Sequence, residues 1–350
     1  MIEYLSAKLH YGVMDGIVCK YCQSANIIKY GIYEGVQRYY CKDCERKFTE
    51  LDTLPHMQTA IDRIGAAVSM YYEGLSLNEI KRILRQIYSW DVSDYGIYGW
   101  VSRFTKDAIE VTNNYRPDTG YVWAADETVI DIAGKQYWLL DVIDVKTRFL
   151  LASKLSPTRW MEDINDVLLE AYQRSGKVPK SIMTDRLEGY VRAIPSTFGK
   201  EARHIRIKKF ATRPNNNMIE RFHGTIKSRT KIMRDLKSPE TAELILDGFF
   251  VYYNYFRPHE TLSKQGEDTT PALKAGIKFP YANWEQFIRH SQQEKQTLVI
   301  RYDIPKLPAY PMTDLDRKRE YERLKSRQKL AKRQQGQSRI QSIGRPRKRK

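Results

Sequence analysis

The stretch YVWAADETVIDIAGKQYWLLDVIDVKTRFLLASKLS, residues 121–156, decides the fold. Its β-branched and aromatic residues predict two strands joined by a tight turn at Gly134 and Lys135, and a third strand over TRFLLASKLS. TRWMEDINDVLLEAYQRSG then has the apolar spacing of a helix that stops at Gly176. KVPKSIMTD predicts a strand ending on Asp185, and HIRIKKF another before two helices. This order predicts an α/β fold, a ribonuclease H-like mixed sheet with flanking helices.

Three acids stand where a carboxylate needs an explanation. Asp126 lies mid-strand in the apolar run VWAADETV, and a sheet rarely keeps an unpaired acid unless something compensates its charge. Asp185 ends a predicted strand, and ligand sites of α/β sheets cluster at such carboxyl ends. Glu220 lies one turn into the predicted helix NNNMIERFHGTIKSRTKIMRDL. Their spacing alone does not prove that they converge, because only the fold can bring three elements together.

Other acids lie close to Asp126 in the chain. Asp131, Asp141 and Asp144 are alternatives to it as the first ligand, since all lie on the same two predicted strands. Glu127 adjoins Asp126, but neighbours on a strand point to opposite faces. We therefore expect Glu127 to point away from a site that contains Asp126.

Three converging carboxylates would suit phosphodiester chemistry. Cleavage needs a nucleophilic oxygen and a stabilised leaving oxygen, and two Mg²⁺ (or Mn²⁺) ions about 3.5–4 Å apart can serve both. Such hard cations take oxygen ligands, so Asp and Glu are the right residue types. In this hypothesis Asp126 bridges both ions, Asp185 holds one and Glu220 holds the other.

Basic residues surround Glu220 in RPNNNMIERFHGTIKSR, residues 213–229. Arg221, Lys227 and Arg229 are candidates for DNA phosphate contacts, and Lys227 shares the helix face of Glu220 two turns on. His223 is a candidate for a phosphate contact or for packing. By charge pattern alone, a solvated helix on which Glu220 merely pairs with basic neighbours is the better interpretation.

The segments TD, NNNMIERFHGTIKSRTK, YNYFRPHETL and TPALKAG together resemble insertion-sequence transposases of the DDE type, within the retroviral integrase superfamily. The 34 residues between Asp185 and Glu220 match the compact group of that family. Lys227 matches its basic residue seven positions after the Glu, and DET matches its first Asp at Asp126. The resemblance covers residues 118–277. It implies metal-dependent cleavage of 3′ ends at element termini, strand transfer into target DNA, and a dimer or larger assembly.

All four cysteines belong to two CxxC pairs, CKYC and CKDC, at Cys19, Cys22, Cys41 and Cys44. This spacing is typical of a structural zinc ribbon, because a tetrahedral ion needs four thiolates and each CxxC turn presents two. The intervening IIKYGIYEGVQRYY alternates like short strands. A redox pair is the alternative. We expect one structural Zn²⁺, with no open position for catalysis.

Residues 58–112 predict three helices with short turns between them. SLNEIKRILRQIYS begins with Ser76 and Glu79 in a capping-box arrangement, and a third helix begins near Ser93. This order is typical of a helix-turn-helix module, and an ordinary three-helix packing unit is the alternative. The residues of the third helix offered to a DNA major groove are Tyr95, Tyr98, Ser102 and Arg103.

The formal net charge is +17, and residues 317–350 hold 15 Lys and Arg against two Glu. Such a tail is typical of a segment that is disordered in isolation. A polyanion, here double-stranded DNA, is the natural partner, and the alternatives are a solubility tail or an anionic surface as the target. The sequence has no membrane-length apolar run, no secretory signal and no GxxxxGK[ST] motif. We therefore expect a cytoplasmic, nucleoid-associated protein with no membrane partner and no nucleotide cofactor.

These observations predict a DNA transposase of five segments. They are a zinc ribbon (1–52), a helix-turn-helix region (53–115), a DDE catalytic core (116–277), a C-terminal extension (278–316) and a basic tail (317–350). The alternatives are a domesticated DNA-binding protein that has lost catalysis, and a nuclease that cuts without joining.

Overall fold

The structure is a computed structural model, and it describes residues 17–33, 36–49, 51–54, 57–185, 187–207, 217–232, 236–263 and 267–290. All of them lie in one compact unit, Met1–Tyr302. The predicted basic tail and most of the predicted C-terminal extension lie outside the described residues. Within the described ranges, no helix is both long and apolar enough to cross a membrane.

The N-terminal segment forms a small antiparallel sheet. Its strands are β1 (Ile27–Tyr33), β2 (Val36–Cys41) and β3 (Lys47–Thr49), in that spatial order. Tyr39 and Phe48 pair across β2 and β3 and are buried together with Cys19 and Cys41. This core is separate from the main one and holds few apolar side chains.

Three helices follow, as predicted: α1 (Ile61–Glu73), α2 (Leu77–Tyr88) and α3 (Asp94–Thr112). The capping box predicted at the start of α2 is present, because the Glu79 backbone N–H donates to Ser76 Oγ and the Glu79 carboxylate accepts from the Ser76 N–H. The Ser93 hydroxyl accepts from Gly96 N–H and so caps α3.

The central sheet has five strands: β4 (Val122–Ile132), β5 (Lys135–Asp144), β6 (Leu150–Ser156), β7 (Ser181–Thr184) and β8 (Arg203–Arg206). Their spatial order is β6-β5-β4-β7-β8. The pairs β4–β5 and β5–β6 are antiparallel, whereas β7 lies parallel to both β4 and β8. This confirms the predicted ribonuclease H-like mixed sheet.

The turn between β4 and β5 lies one residue earlier than predicted. Ala133 and Gly134 both have positive φ, 51° and 76°, and Lys135 already belongs to β5. Two positive φ angles give a hairpin turn whose twist matches that of the strands. The Asp131 carboxylate accepts from Gly134 N–H and stabilises the turn.

Helices cover the sheet: α4 (Met161–Ser175), α5 (Glu188–Phe198), α6 (Asn217–Ile232), α7 (Pro239–Val251) and the short α8 (Pro271–Lys274). The α7 segment continues as a buried π-helical turn, Tyr252–Phe256. Helix α5 is absent from the sequence-based prediction. Pro195 lies in the last turn of this helix.

The helical region and the sheet domain share one hydrophobic core, which runs from Leu54 to Ile288. Helix α7 packs against α3. Tyr72 of α1 shares a hydrogen bond with Thr105 of α3 at 2.5 Å, and its ring stacks against Tyr252 and Trp284. The three N-terminal helices are therefore fixed to the element that follows the Glu220 helix.

Candidate active site and metal centres

Asp126 and Asp185 converge at the end of β7. The last β4–β7 pair is Ala124 with Met183, and each acid lies two residues further along its strand. Because side chains alternate with a period of two, both acids project from the same face as that pair. Their carboxylate oxygens lie within 4.8 Å of each other. The hydrogen bond from Leu187 N–H to Asp185 Oδ1, 2.8 Å, fixes the second acid.

The carboxylate of Glu127 joins the same cluster, within 4.8 Å of both aspartates. The expectation that Glu127 points away from the site is therefore wrong. Strand β7 ends at Thr184, so among the described residues no strand pairs with β4 beyond Ala124 on that side. A long side chain from the opposite face can reach round this open edge.

Glu127 also has a positively charged partner. Its side chain is only 4% exposed, and Arg159 Nη1 donates to Oε1 at 2.7 Å. The same guanidinium lies 3.9 Å from the ring centroid of Trp138. Burial raises the pKa of Glu127, and the charge of Asp185 adds to this shift while Arg159 opposes it.

Asp126 is the most perturbed acid of the cluster. Burial raises the pKa of its carboxyl to about 7; the nearby His223 opposes the shift, and Glu127 and Asp185 add to it. Three carboxylates in so small a volume repel one another as anions. A divalent cation would offset this repulsion, and the oxygen-only ligand set is the one that Mg²⁺ or Mn²⁺ prefers.

Glu220 does not belong to this three-acid cluster. It lies on α6, which packs beside β4, but its side chain is exposed. The predicted convergence is thus present for Asp126 and Asp185, whereas Glu220 lies outside the cluster.

His223, one turn beyond Glu220, points into the protein. It is 5% exposed, its Nε2 lies 2.9 Å from Asp141 Oδ2, and its Nδ1 lies 3.8 Å from Asp126 Oδ2. The predicted phosphate contact by His223 is not supported, because the imidazole is enclosed between two carboxylates. Burial lowers the pKa of His223, but the hydrogen bond and charge of Asp141 outweigh this and raise it overall.

The acids that were alternatives to Asp126 have other partners. Asp131 caps the hairpin turn. Asp144 is buried and accepts from the N–H groups of Thr147 and Gly120 and from the Thr147 hydroxyl. Asp141 is fully buried and bonded to His223 and to Ser153. Of these four aspartates, Asp126 alone belongs to the carboxylate cluster.

The basic residues of α6 divide into two groups. Arg221 and Lys227 are exposed on the same helix as Glu220. Arg229 is 5% exposed, and its guanidinium lies 4.1 Å from the ring centroid of Tyr71 on α1. The predicted phosphate contact by Arg229 is therefore not supported, since the group lies between two helices. Helical periodicity alone does not predict that the face of α6 with Arg229 is buried, because polar residues occur on every side of this helix.

The candidate groove-facing residues of α3 also differ in exposure. Tyr95 is 85% exposed and Arg103 is exposed, whereas Tyr98 and Ser102 are half-buried. Lys106, which sequence reasoning missed, lies on the same outward stripe, eleven residues after Tyr95. Counting in helical steps from Tyr95 would have found it.

The four cysteines form a compact cluster with one Sγ of each within 4.8 Å of the others. The Sγ atoms of Cys19 and Cys44 are 3.6 Å apart, as are those of Cys22 and Cys41. A tetrahedral zinc with bonds of about 2.3 Å separates its sulfurs by about 3.8 Å. All four cysteines are free. The ligand set and spacing therefore fit one zinc ion in a zinc ribbon.

Known proteins bear out the resemblance to transposases. The model of the DDE domain family of IS240-type transposases matches residues 120–259, which contain both converging aspartates and Glu220. Residues 120–259 are therefore similar to this family, and we call them the DDE domain. An uncharacterized protein in transposable element ISH50 of Halobacterium salinarum is 34% identical over 95 residues. That match covers 26% of this chain and 30% of the length of the relative.

Solved integrase structures resemble this chain with lower sequence identity. The catalytic core domain of HTLV-2 integrase in complex with magnesium, in its dimeric form, is 15% identical with a TM-score of 0.34, covering 45% of this chain and 94% of that one. A simian T-cell lymphotropic virus intasome in complex with a PP2A regulatory subunit is 16% identical with a TM-score of 0.38, covering 48% and 59%. These scores are low, so the fold assignment rests on the strand order and register of this chain.

Proposed function

We propose that this protein is an active transposase that binds the ends of its element, cleaves their 3′ ends and joins them to target DNA. The observation that carries the proposal is the approach of the Asp126 and Asp185 carboxylates at one end of the DDE domain sheet, beside the helix of Glu220. The group that would complete the site is a pair of divalent cations, Mg²⁺ or Mn²⁺.

The acids present fit such ions. Oxygen ligands on opposite sides of Mg²⁺ are about 4.2 Å apart, because each bond is about 2.1 Å. The carboxylate oxygens of Asp126 and Asp185 lie within a slightly larger span, 4.8 Å, so one ion between them needs only small adjustments. A second ion would need Glu220, whose side chain is exposed on α6, the helix that packs beside β4. Bound ions would stabilise the attacking and leaving oxygens of an in-line displacement.

The residues of the chain have separate tasks in this proposal. Asp126 and Asp185 hold the site from two adjacent strands, and Glu220 closes it from α6. Arg159 balances the charge of Glu127, which keeps that carboxylate beside the site without requiring it as a ligand. Transesterification exchanges one phosphodiester for another, so no nucleotide cofactor is required.

Exposed cations beside the acids would hold the DNA backbone. Arg221 and Lys227 project from α6 near Glu220 and can neutralise phosphates that no ion touches. The outward stripe of α3, with Tyr95, Arg103 and Lys106, would contact the element end. The zinc ribbon would support the same recognition with its ion in a purely structural role. Two ends must be joined together, so a dimer or larger assembly on cytoplasmic, nucleoid DNA is expected.

The test is an incubation of the full chain with labelled element-end DNA, Mg²⁺ and a target plasmid. The proposal predicts a joined product, and it predicts that Asp185→Ala binds the DNA with unchanged affinity but forms none. Cleavage without joining would indicate a nuclease instead. Binding without either reaction would indicate a regulator that has lost catalysis.

A further inference from the structure

A row of polar residues crosses the sheet beneath α6. Asp126 of β4 is the register partner of Asp141 of β5, and Asp141 is the partner of Ser153 of β6. Register partners project from the same face of a sheet. Ser153, Asp141 and Asp126 therefore form one continuous line that ends at the carboxylate cluster.

Asp141 lies at the centre of this line and is completely buried. Its Oδ1 accepts from Ser153 Oγ at 2.6 Å, and its Oδ2 lies 2.9 Å from His223 Nε2. A buried carboxylate without such partners would cost several kcal/mol, and even a paired one rarely stabilises more than a well-packed apolar residue. Packing of α6 alone would be served as well by an apolar side chain. The acid at this position therefore calls for a function.

The pairing with Asp141 determines how the imidazole of His223 faces the site. The Asp141 carboxylate accepts the hydrogen bond that Nε2–H donates, so the ring plane is fixed and Nδ1 is the atom that faces Asp126 Oδ2, 3.8 Å away. This separation is a contact rather than a hydrogen bond. It restricts the positions that the Asp126 carboxylate can occupy.

His223 also lies three residues after Glu220 on α6, and residues at this spacing share a helix face. The hydrogen bond from His223 to Asp141 thus ties the helix of the third acid to the strand beside the first. One buried pair can hold two of the three acids of the DDE domain in mutual register.

We propose that Asp141 and His223 are positioning residues that set the carboxylate of Asp126 and the helix of Glu220 for binding of a divalent cation. This proposal rests on the function proposed above. Loss of a residue that orients a metal ligand typically lowers metal affinity or activity by about 10- to 100-fold. The buried pair would orient a ligand on a different strand.

The experiment compares Asp141→Asn, His223→Gln, His223→Ala and the double variant Asp141→Asn/His223→Gln in the full chain. Ile226→Val is the matched control, because Ile226 is buried on α6 but belongs to none of these contacts. Mn²⁺ binding is measured by electron paramagnetic resonance titration, end joining under single-turnover conditions, end-DNA affinity by anisotropy, and stability by thermal melting.

We expect the single variants to weaken Mn²⁺ binding and to slow joining by about 10- to 100-fold, with end-DNA affinity unchanged. The double variant should be no worse than the poorer single one, because the pair acts as a unit. His223→Gln retains a donor for Asp141 and should lose less than His223→Ala. The Ile226→Val substitution should lower the melting temperature without weakening Mn²⁺ binding.

Mn²⁺ affinity that stays within about twofold in all three single-site variants would overturn the proposal. The proposal would also be overturned if Ile226→Val, for the same fall in melting temperature, lost as much Mn²⁺ affinity as the Asp141 and His223 variants. If the unaltered chain fails to join ends, the proposed function fails, and the Mn²⁺ titration still decides whether the pair positions a metal site.

Discussion

The guanidinium of Arg229 lies 4.1 Å from the ring centroid of Tyr71, and this contact joins α6, which carries Glu220, to the first of the N-terminal helices. Both side chains are buried. Burial lowers the pKa of Arg229, against the opposing influence of Tyr71 and Tyr72. The arginine therefore links two elements of the protein, whereas Lys227 on the same helix is exposed and is the residue that we propose to contact DNA.

Replacing Lys227 and Arg229 separately should distinguish these roles. Lys227→Ala should reduce the slope of log affinity against log salt concentration by about one, because one phosphate contact is lost. Arg229→Met keeps a long apolar side chain over Tyr71 and should leave that slope unchanged. Fluorescence anisotropy of labelled end DNA at several salt concentrations measures both. An equal fall in slope for Arg229→Met would return that residue to the DNA interface.

Gly248 of α7 allows the close approach of α1 and α3. A Cβ at this position would collide with the hydroxyl of Tyr72 and lie 2.6 Å from the Thr105 methyl group. Gly248→Ala should therefore lower the free energy of unfolding by roughly 1–3 kcal/mol. Gly224→Ala is the control, since no described atom lies within 4 Å of its Cβ position, and it should stabilise α6 by about 0.5–1 kcal/mol. Urea denaturation that ranks the two variants the other way would refute the packing described.

Much of this architecture follows from local signals in the sequence. Caps and apolar spacing predict α1 to α4, and the strand ending on Asp185 places that acid at the carboxyl edge of the sheet. The hairpin register depends on the turn: placing it at Gly134 and Lys135 makes Ile143 the partner of Asp126. The observed turn at Ala133 and Gly134 makes it Asp141. An error of one residue thus concealed the Asp126–Asp141 pair.

The rest of the site depends on tertiary contacts that no local pattern encodes. The alternation of side chains along β4 predicts that Glu127 points away from the site. This prediction fails because β7 ends beside Glu127. The burial of His223 and Arg229 reflects which side of a polar helix meets the sheet and α1. The composition of α6 alone does not determine that side.

Glu127 and Glu220 offer opposite combinations of position and predicted role. Glu127 lies in the acid cluster but is paired with Arg159, whereas Glu220 lies outside it and matches the DDE motif. We expect Glu220→Gln to abolish joining and Glu127→Gln to slow it by about tenfold or less, through a shift of Arg159. Single-turnover joining rates in Mg²⁺ measure this. If Glu127→Gln abolished joining while Glu220→Gln remained active, Glu127 and not Glu220 would be the third acid of the site.

The pKa of Asp126 predicts how pH affects the metal-free protein. Its pKa is about 7 in the folded chain and 3.8 when unperturbed, so the folded form binds the proton more tightly. The contribution of this protonated carboxyl to the free energy of unfolding is fully present below about pH 4 and is lost as pH rises through about 7. The free energy of unfolding should fall over that range, and less steeply in Asp126→Asn. Asp247 shares the upward shift, so only the difference between the two proteins in urea melts tests Asp126. Parallel curves would contradict it.

Zinc removal should unfold the ribbon and leave the DDE domain intact. Among the described residues, Tyr39 and Phe48 are the only buried side chains of the ribbon core besides two cysteines, with Tyr21 and Ile27 partly buried against them. So few apolar side chains cannot offset the conformational entropy of ordering the segment. Hydrogen exchange in Cys44→Ser should therefore show lost protection over residues 17–49 and retained protection in β4 and β5. End-DNA affinity should fall in the same protein, while the joining chemistry of ends that do bind is unchanged, because the ribbon contributes no residue to the carboxylate cluster. The unaltered chain should hold one zinc by atomic absorption and the variant none. Full protection of the ribbon in a zinc-free chain would mean that its three strands are stable without the ion.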